Sequence, residues 1–308
     1  MKRIIAMILL LCLLLCACGE MPQDNGDSSK LSIVCSSFPA YDFAREITDG
    51  KAEIKLLIKP GAEVHSYEPT PKDVIRIRNC DLFICNGGES EEWVEELISD
   101  ELRVIRMMDC VETVAEEVKD GMYVRGGEEG EEEELDEHVW TSPMNALLIV
   151  KEIAENICEA DPSNAAYYNA KATSYMAQLI SLDSDIRCTV SGAEHQTLIF
   201  ADRFPMRYFT KEYGLDYYAA FPGCASETEP SAKTVAFLID RVREDNIPAV
   251  LYMEFSNEKM ADVICEDTGC VKLPFYSAHN ISAEQFEAGM TYLDLVRINL
   301  NSLKEALS

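Results

Sequence analysis

A continuous helical pattern runs from Asn145 to about Cys188, and short apolar strands alternating with amphipathic helices lie on both sides of it. Apolar residues recur at helical spacing at Leu147, Val150, Ile153 and Ile157, and again at Tyr168, Ala172, Leu179 and Leu182. Asp161-Pro162-Ser163 interrupts the run, and a new helix starts after it. Between two α/β halves, a helical run of this length reads as a structural spine.

In the first half, strands are expected at Leu31 to Cys35, Ala52 to Ile58, Asp81 to Cys85 and Leu102 to Met108, with helices over Asp42 to Thr48, Lys72 to Asn79 and Ser90 to Ile98. In the second half, strands are expected at Thr197 to Ala201, Asp216 to Phe221, Ala249 to Met253 and Val271 to Leu273, with helices at Met206 to Tyr213, Ser231 to Glu244, Glu258 to Asp267 and Thr291 to Leu307. Strand, helix, strand is the grammar of a parallel sheet. The expected fold is therefore α/β, two parallel-sheet lobes joined by a long backbone helix, with a ligand in the crevice at the strand C-termini. The expected division is 1–18 leader, 19–30 tether, 31–143 N-terminal lobe, 144–190 helical linker and 191–308 C-terminal lobe.

The chain opens Met1-Lys2-Arg3, continues apolar from Ile4 to Leu15 and reaches Cys16-Ala17-Cys18-Gly19, a secretory signal too short for a spanning helix. Leu15-Cys16-Ala17-Cys18 resembles the bacterial lipobox, which makes Cys18 the expected lipid anchor. Glu20 to Ser29 is polar and turn-rich, as a tether would be. The expected location is thus the extracytoplasmic face of the cell membrane, held by lipid. A formal charge of -28 argues against nucleic acid as partner and suits the collection of cations. Of the 12 cysteines, three lie in the leader, and the odd remainder cannot all pair within one chain. Most sit in apolar runs, where a free thiol is a small core residue. Cys265 and Cys270 are the pair whose closeness in sequence invites a disulfide.

The chain has 4 histidines, His65, His138, His195 and His279. His65, His138 and His279 come in loops after strands, where open α/β folds place ligands. His195 lies in a polar turn before a strand and reads as a surface residue. His138 closes an acidic run of Glu131, Glu132, Glu133, Glu134, Asp136 and Glu137, whose carboxylates lower the local potential and attract cations. A neutral imidazole then offers a nitrogen to a borderline divalent metal.

Three stretches make a more specific comparison. They are Gly61-Ala62-Glu63-Val64-His65-Ser66-Tyr67-Glu68-Pro69-Thr70-Pro71-Lys72-Asp73, Asp81-Leu82-Phe83-Ile84-Cys85-Asn86-Gly87, and Asp136-Glu137-His138-Val139-Trp140-Thr141-Ser142-Pro143, supported by Glu229-Pro230-Ser231. With them the chain resembles the substrate-binding lipoproteins of zinc and manganese ABC transporters, the ZnuA-like cluster A-I family. The resemblance implies a receptor, not an enzyme, that holds a metal between two lobes and delivers it to a permease and ATPase in the membrane, working as a monomer. His65 and His138 match the family's two N-lobe histidines. For the third ligand, the spacing from the strand points to Asp202, while counting back from Tyr213-Gly214-Leu215 lands on Arg203. The fourth family position, usually an aspartate, is matched by His279. Three imidazoles and a carboxylate suit zinc, whereas manganese favours more oxygen. An exported zinc hydrolase, with Glu63 or Glu254 as base, lacks an HExxH or GxSxG motif. A metal-containing adhesin is the other alternative.

Overall fold

Each half of the chain builds a four-stranded, all-parallel sheet with helices on its faces. The computed structural model describes residues 30–99, 101–123, 134–223 and 230–308. The leader with Cys18, the residues Glu131, Glu132 and Glu133, and Cys224 lie outside them. Among the described residues, no helix is long and apolar enough to cross a membrane.

In the first half β1 (Ser32–Cys35), β2 (Glu53–Leu56), β3 (Leu82–Cys85) and β4 (Val104–Arg106) take the order β2-β1-β3-β4. Helices α1 (Phe38–Thr48) and α2 (Pro71–Arg78) lie in the crossovers. In the second half β5 (Thr197–Phe204), β6 (Asp216–Pro222), β7 (Ala249–Tyr252) and β8 (Val271–Pro274) take the order β6-β5-β7-β8. Here α5 (Arg207–Tyr213), α6 (Ala232–Glu244), α7 (Lys259–Thr268), α8 (Ala283–Glu287) and α9 (Tyr292–Ala306) complete the layers. The spine between the halves is α3 (Pro143–Ala160) and α4 (Ala165–Ser191). Pro143 sits at the start of α3, where its missing N–H costs nothing, and Ser142 Oγ accepts from the Met144 and Asn145 amides. At the break, Asp161 accepts from Ser163, Asn164 and Tyr168, which fixes the turn between the two helices.

The period of two along the strands sorts the core. Ile33 and Cys35 of β1 face a large interior, while Val34 faces a smaller cluster with Ile77 and Phe83. In β5, Leu198 and Phe200 face the same interior as Ile33, and Ile199 and Ala201 turn to a separate cluster with Leu238 and Ile264. The shared interior contains Phe43, Trp140, Ile153, Tyr168, Leu179, Phe275 and Tyr292, so the two sheets and the spine close over one continuous core.

Two expectations differ locally. The stretch expected as a helix at Ser90 to Ile98 is a short 3-10 turn at Glu89–Val94, because buried Glu91 accepts from the Asn86 and Gly87 amides and leaves helical geometry. Strand β5 runs on to Phe204 rather than stopping at Ala201, through an irregularity in which Phe200 to Arg203 opposes Ala219 to Phe221. Cys265 and Cys270 are free thiols, with sulfurs 3.6 Å apart.

Candidate metal centre

His65 stands in the loop after β2, and the residues that follow it in sequence hold that loop. Thr70 Oγ1 accepts from the Asp73 amide while Asp73 Oδ2 accepts from the Thr70 amide and from Tyr67 OH, a reciprocal cap on α2 that Pro71 begins. The other end of the loop is held by the second lobe. Asn280 Nδ2 donates to the Lys59 and Ala62 carbonyls at 2.9 and 2.8 Å, and the Gly61 amide donates to the Ile281 carbonyl. The residue next to His279 thus positions His65, a role that sequence reasoning missed.

His138 is buried and its direction is set by Asp136. One carboxylate oxygen accepts from the His138 amide at 2.8 Å and lies 3.2 Å from Nδ1. When the ring is neutral, a proton held on Nδ1 by this carboxylate leaves Nε2 as the free nitrogen. Burial depresses the His138 pKa, but Asp136, with Glu137 and Glu116, outweighs it and raises the value. Trp140 packs on His279 with centroids 4.7 Å apart, and its Nε1 donates to the Ser277 carbonyl at 2.8 Å. His279 lies beyond β8, after Ala278 in left-handed backbone, and its amide donates to Ser277 Oγ. Ser277 in turn donates from its amide and hydroxyl to Glu254, beyond β7.

These loops bring His65, His138 and His279 together, one nitrogen from each lying within 4.8 Å of the others. Their ring centroids are 5.1 to 5.5 Å apart. Burial, then the neighbouring His138 and Arg203, push His65 down to about 3. Burial, then His65, His138 and Arg203, push His279 well below the usual histidine range. Two of the rings are therefore neutral at any physiological pH and ready to donate lone pairs. The rings line a cavity of about 50 Å³ together with Glu63, Arg203 and Glu254.

Asp202 is not with them. The extra residue in β5 turns it away, so that Oδ1 accepts from the Arg203 amide and Oδ2 from the Met253 amide at the end of β7. Arg203 is the residue that lines the cavity. A second correction concerns the acidic run. Asp136 and Glu137 are buried rather than solvated: Asp136 serves His138, and Glu137 accepts from the Ser90 amide and hydroxyl. Glu134 is exposed.

A family model described as zinc-uptake complex component A, periplasmic, matches residues 33–306. The chain belongs to this family. It is 32% identical to the high-affinity zinc uptake system protein ZnuA of Bacillus subtilis, over 96% of this chain and 94% of the relative. It is 29% identical to the zinc-binding lipoprotein AdcA of Streptococcus pneumoniae, over 99% of this chain and 61% of that longer protein. Among solved structures, the metal-dependent lipoprotein YcdH of Bacillus subtilis aligns with a TM-score of 0.76 at 30% identity, covering 91% of this chain and all 100% of the other. The Zn(II)-bound ZnuA-like domain of Streptococcus pneumoniae AdcA aligns with a TM-score of 0.72 at 26% identity, covering 90% and 99%. The two-lobed α/β fold is common to the family, and its members are transport proteins rather than enzymes.

Proposed function

We propose that this protein is the extracytoplasmic receptor of an ABC importer and that its cargo is zinc, bound by His65, His138 and His279. The observation that carries the reading is the convergence of three imidazole nitrogens, from three loops of two lobes, within 4.8 Å. Three nitrogen donors select zinc over manganese, which favours an oxygen-rich shell. The names of the relatives, a zinc uptake protein and a zinc-binding lipoprotein, support the same cargo. Cys18 is the lipid anchor, 19–30 the tether, and the receptor is a monomer that docks on a permease served by an ATPase. The acidic segment of Glu131, Glu132, Glu133 and Glu134 raises the local cation concentration, and the cleft then strips water from the ion. Release follows from docking, which must spread the three loops.

The reading is tested by native mass spectrometry of the full chain with competing divalent metals, repeated on His138→Ala. Wild type is expected to hold one zinc in preference to manganese, and the variant to lose it. A variant that holds zinc as tightly as wild type removes His138 from the site.

A further inference from the structure

The cavity holds more than the cargo reading uses. A tetrahedral zinc takes four donors. Among the described residues no fourth donor joins the three rings within that distance. Glu254 lines the cavity, but its two oxygens accept from the Ser277 amide at 2.7 Å and hydroxyl at 2.5 Å. Glu63 is exposed, and one of its oxygens accepts from the Val64 amide. Arg203 lines the same wall, and among the described residues its one ion pair is a 4.0 Å contact with Glu63. A guanidinium facing a bound dication is repulsive unless an anion lies between them. The volume permits one: about 50 Å³ is several times the roughly 10–15 Å³ a single water needs.

Resting on the zinc reading, we infer that the fourth ligand is a small carboxylate-type oxyanion that enters with the metal, one oxygen on zinc and the other on the Arg203 fork. Arginine suits the task because its planar donors match a carboxylate with two parallel hydrogen bonds. The anion places a negative charge between two positive ones, and the pair becomes the bound species. Bicarbonate and a short organic acid share this chemistry, so the source is decided by measurement. The consequence is thermodynamic coupling: anion and zinc must each tighten the binding of the other by the same factor.

The test measures zinc affinity of the full chain by competition with a chromophoric chelator in carbonate-free perchlorate buffer, then with bicarbonate or acetate added. Affinity is expected to rise saturably by about tenfold or more, with the more effective anion naming the source, and Arg203→Met is expected to lose the response. Carbon-13-labelled anion should co-elute with zinc-loaded wild type, one per zinc, and not with the variant. Zinc affinity indifferent to both anions overturns the inference, even if Arg203→Met does not fold, because the wild-type titration decides it alone. Loss of zinc in Glu254→Gln together with that indifference assigns the fourth position to the protein's own carboxylate. Failure of wild type to bind zinc in any of these buffers overturns the cargo reading itself, which separates the two outcomes.

Discussion

Asp136 decides which nitrogen His138 offers. It accepts from both the amide and the ring N–H of a residue two positions on, so one carboxylate fixes the loop and the tautomer together. Among the described residues its second oxygen is buried without a hydrogen-bond partner, so the charge is directed at the imidazole. Asp136→Asn keeps an acceptor but loses the charge that makes the ring basic. Zinc affinity is expected to fall by about 10–100-fold, less than for His138→Ala, with the circular dichroism unchanged. An affinity equal to wild type would show that the carboxylate only shapes the loop. The loop positions of His65 and His279 were legible in the sequence because each comes soon after a strand, β2 and β8, whereas His138 stands well beyond β4 and was marked instead by the acidic run that it closes. The burial of the last two members of the acidic run was not legible, since a charge run says nothing about which members turn inward. The Asp-x-His spacing, which lets an aspartate bond a backbone amide two residues on, was the available signal. Asp202 was misplaced because one extra residue in a strand reverses the faces of those that follow, and β5 has no glycine or proline to announce it.

Long helices were the most legible elements. The spine was readable to within a few residues because its apolar stripe is continuous, its start has Ser-Pro and its break has Asp-Pro-Ser. Helix α8, five residues held by a reciprocal cap between Ser282 and Gln285, offered too little periodicity to be seen. The 3-10 turn after β3 carried an amphipathic pattern that a buried carboxylate overrode. Energetically, the caps matter most where a helix end sits near the interlobe seam. Thr291 begins α9, accepting from the Asp294 amide and donating to its carboxylate. Thr291→Ala is expected to cost about 1 kcal/mol, read as a lower denaturant midpoint at unchanged slope. On the spine, Ile153 is fully buried in the shared core, and Ile153→Ala is expected to cost about 2–5 kcal/mol. If the shared core were instead two separable ones, that variant would split the unfolding into two transitions.

At the scale of the molecule, the lobes are joined by more than the spine. Tyr292 OH donates to the Trp140 carbonyl, Tyr208 OH to the Asp136 carbonyl and the Tyr123 amide to the Ala220 carbonyl, all between halves distant in sequence. Two parallel sheets with a cleft at their strand ends could be read from the alternation of elements, but these cross-lobe bonds involve single side chains with no sequence pattern. They imply small motions on loading, so zinc is expected to change the radius of gyration by less than about 1 Å in small-angle scattering. Asp42 is the most consequential of the links. It lies on α1, is fully buried, pairs with Arg45 and accepts from the Tyr292 amide at the start of α9. Burial raises its pKa to about 7, although Arg45 and the Tyr292 amide pull the other way. The native state therefore holds this proton where the unfolded chain, near the ordinary aspartate value, has released it. Stability contributed by the protonated group is complete below about pH 4 and is lost as pH rises through about 7. The loss is of order a few kcal/mol, because each tenfold difference in proton affinity between the folded and unfolded chain is worth about 1.4 kcal/mol. Asp42→Asn cannot ionise and should not show it. Unfolding free energies of the two proteins, measured in urea at several values between about pH 4.5 and 8, are expected to converge toward acid and to separate toward the alkaline end with the variant the more stable. Parallel curves would mean that Arg45 holds Asp42 ionised throughout, and the seam would then be an ion pair insensitive to pH.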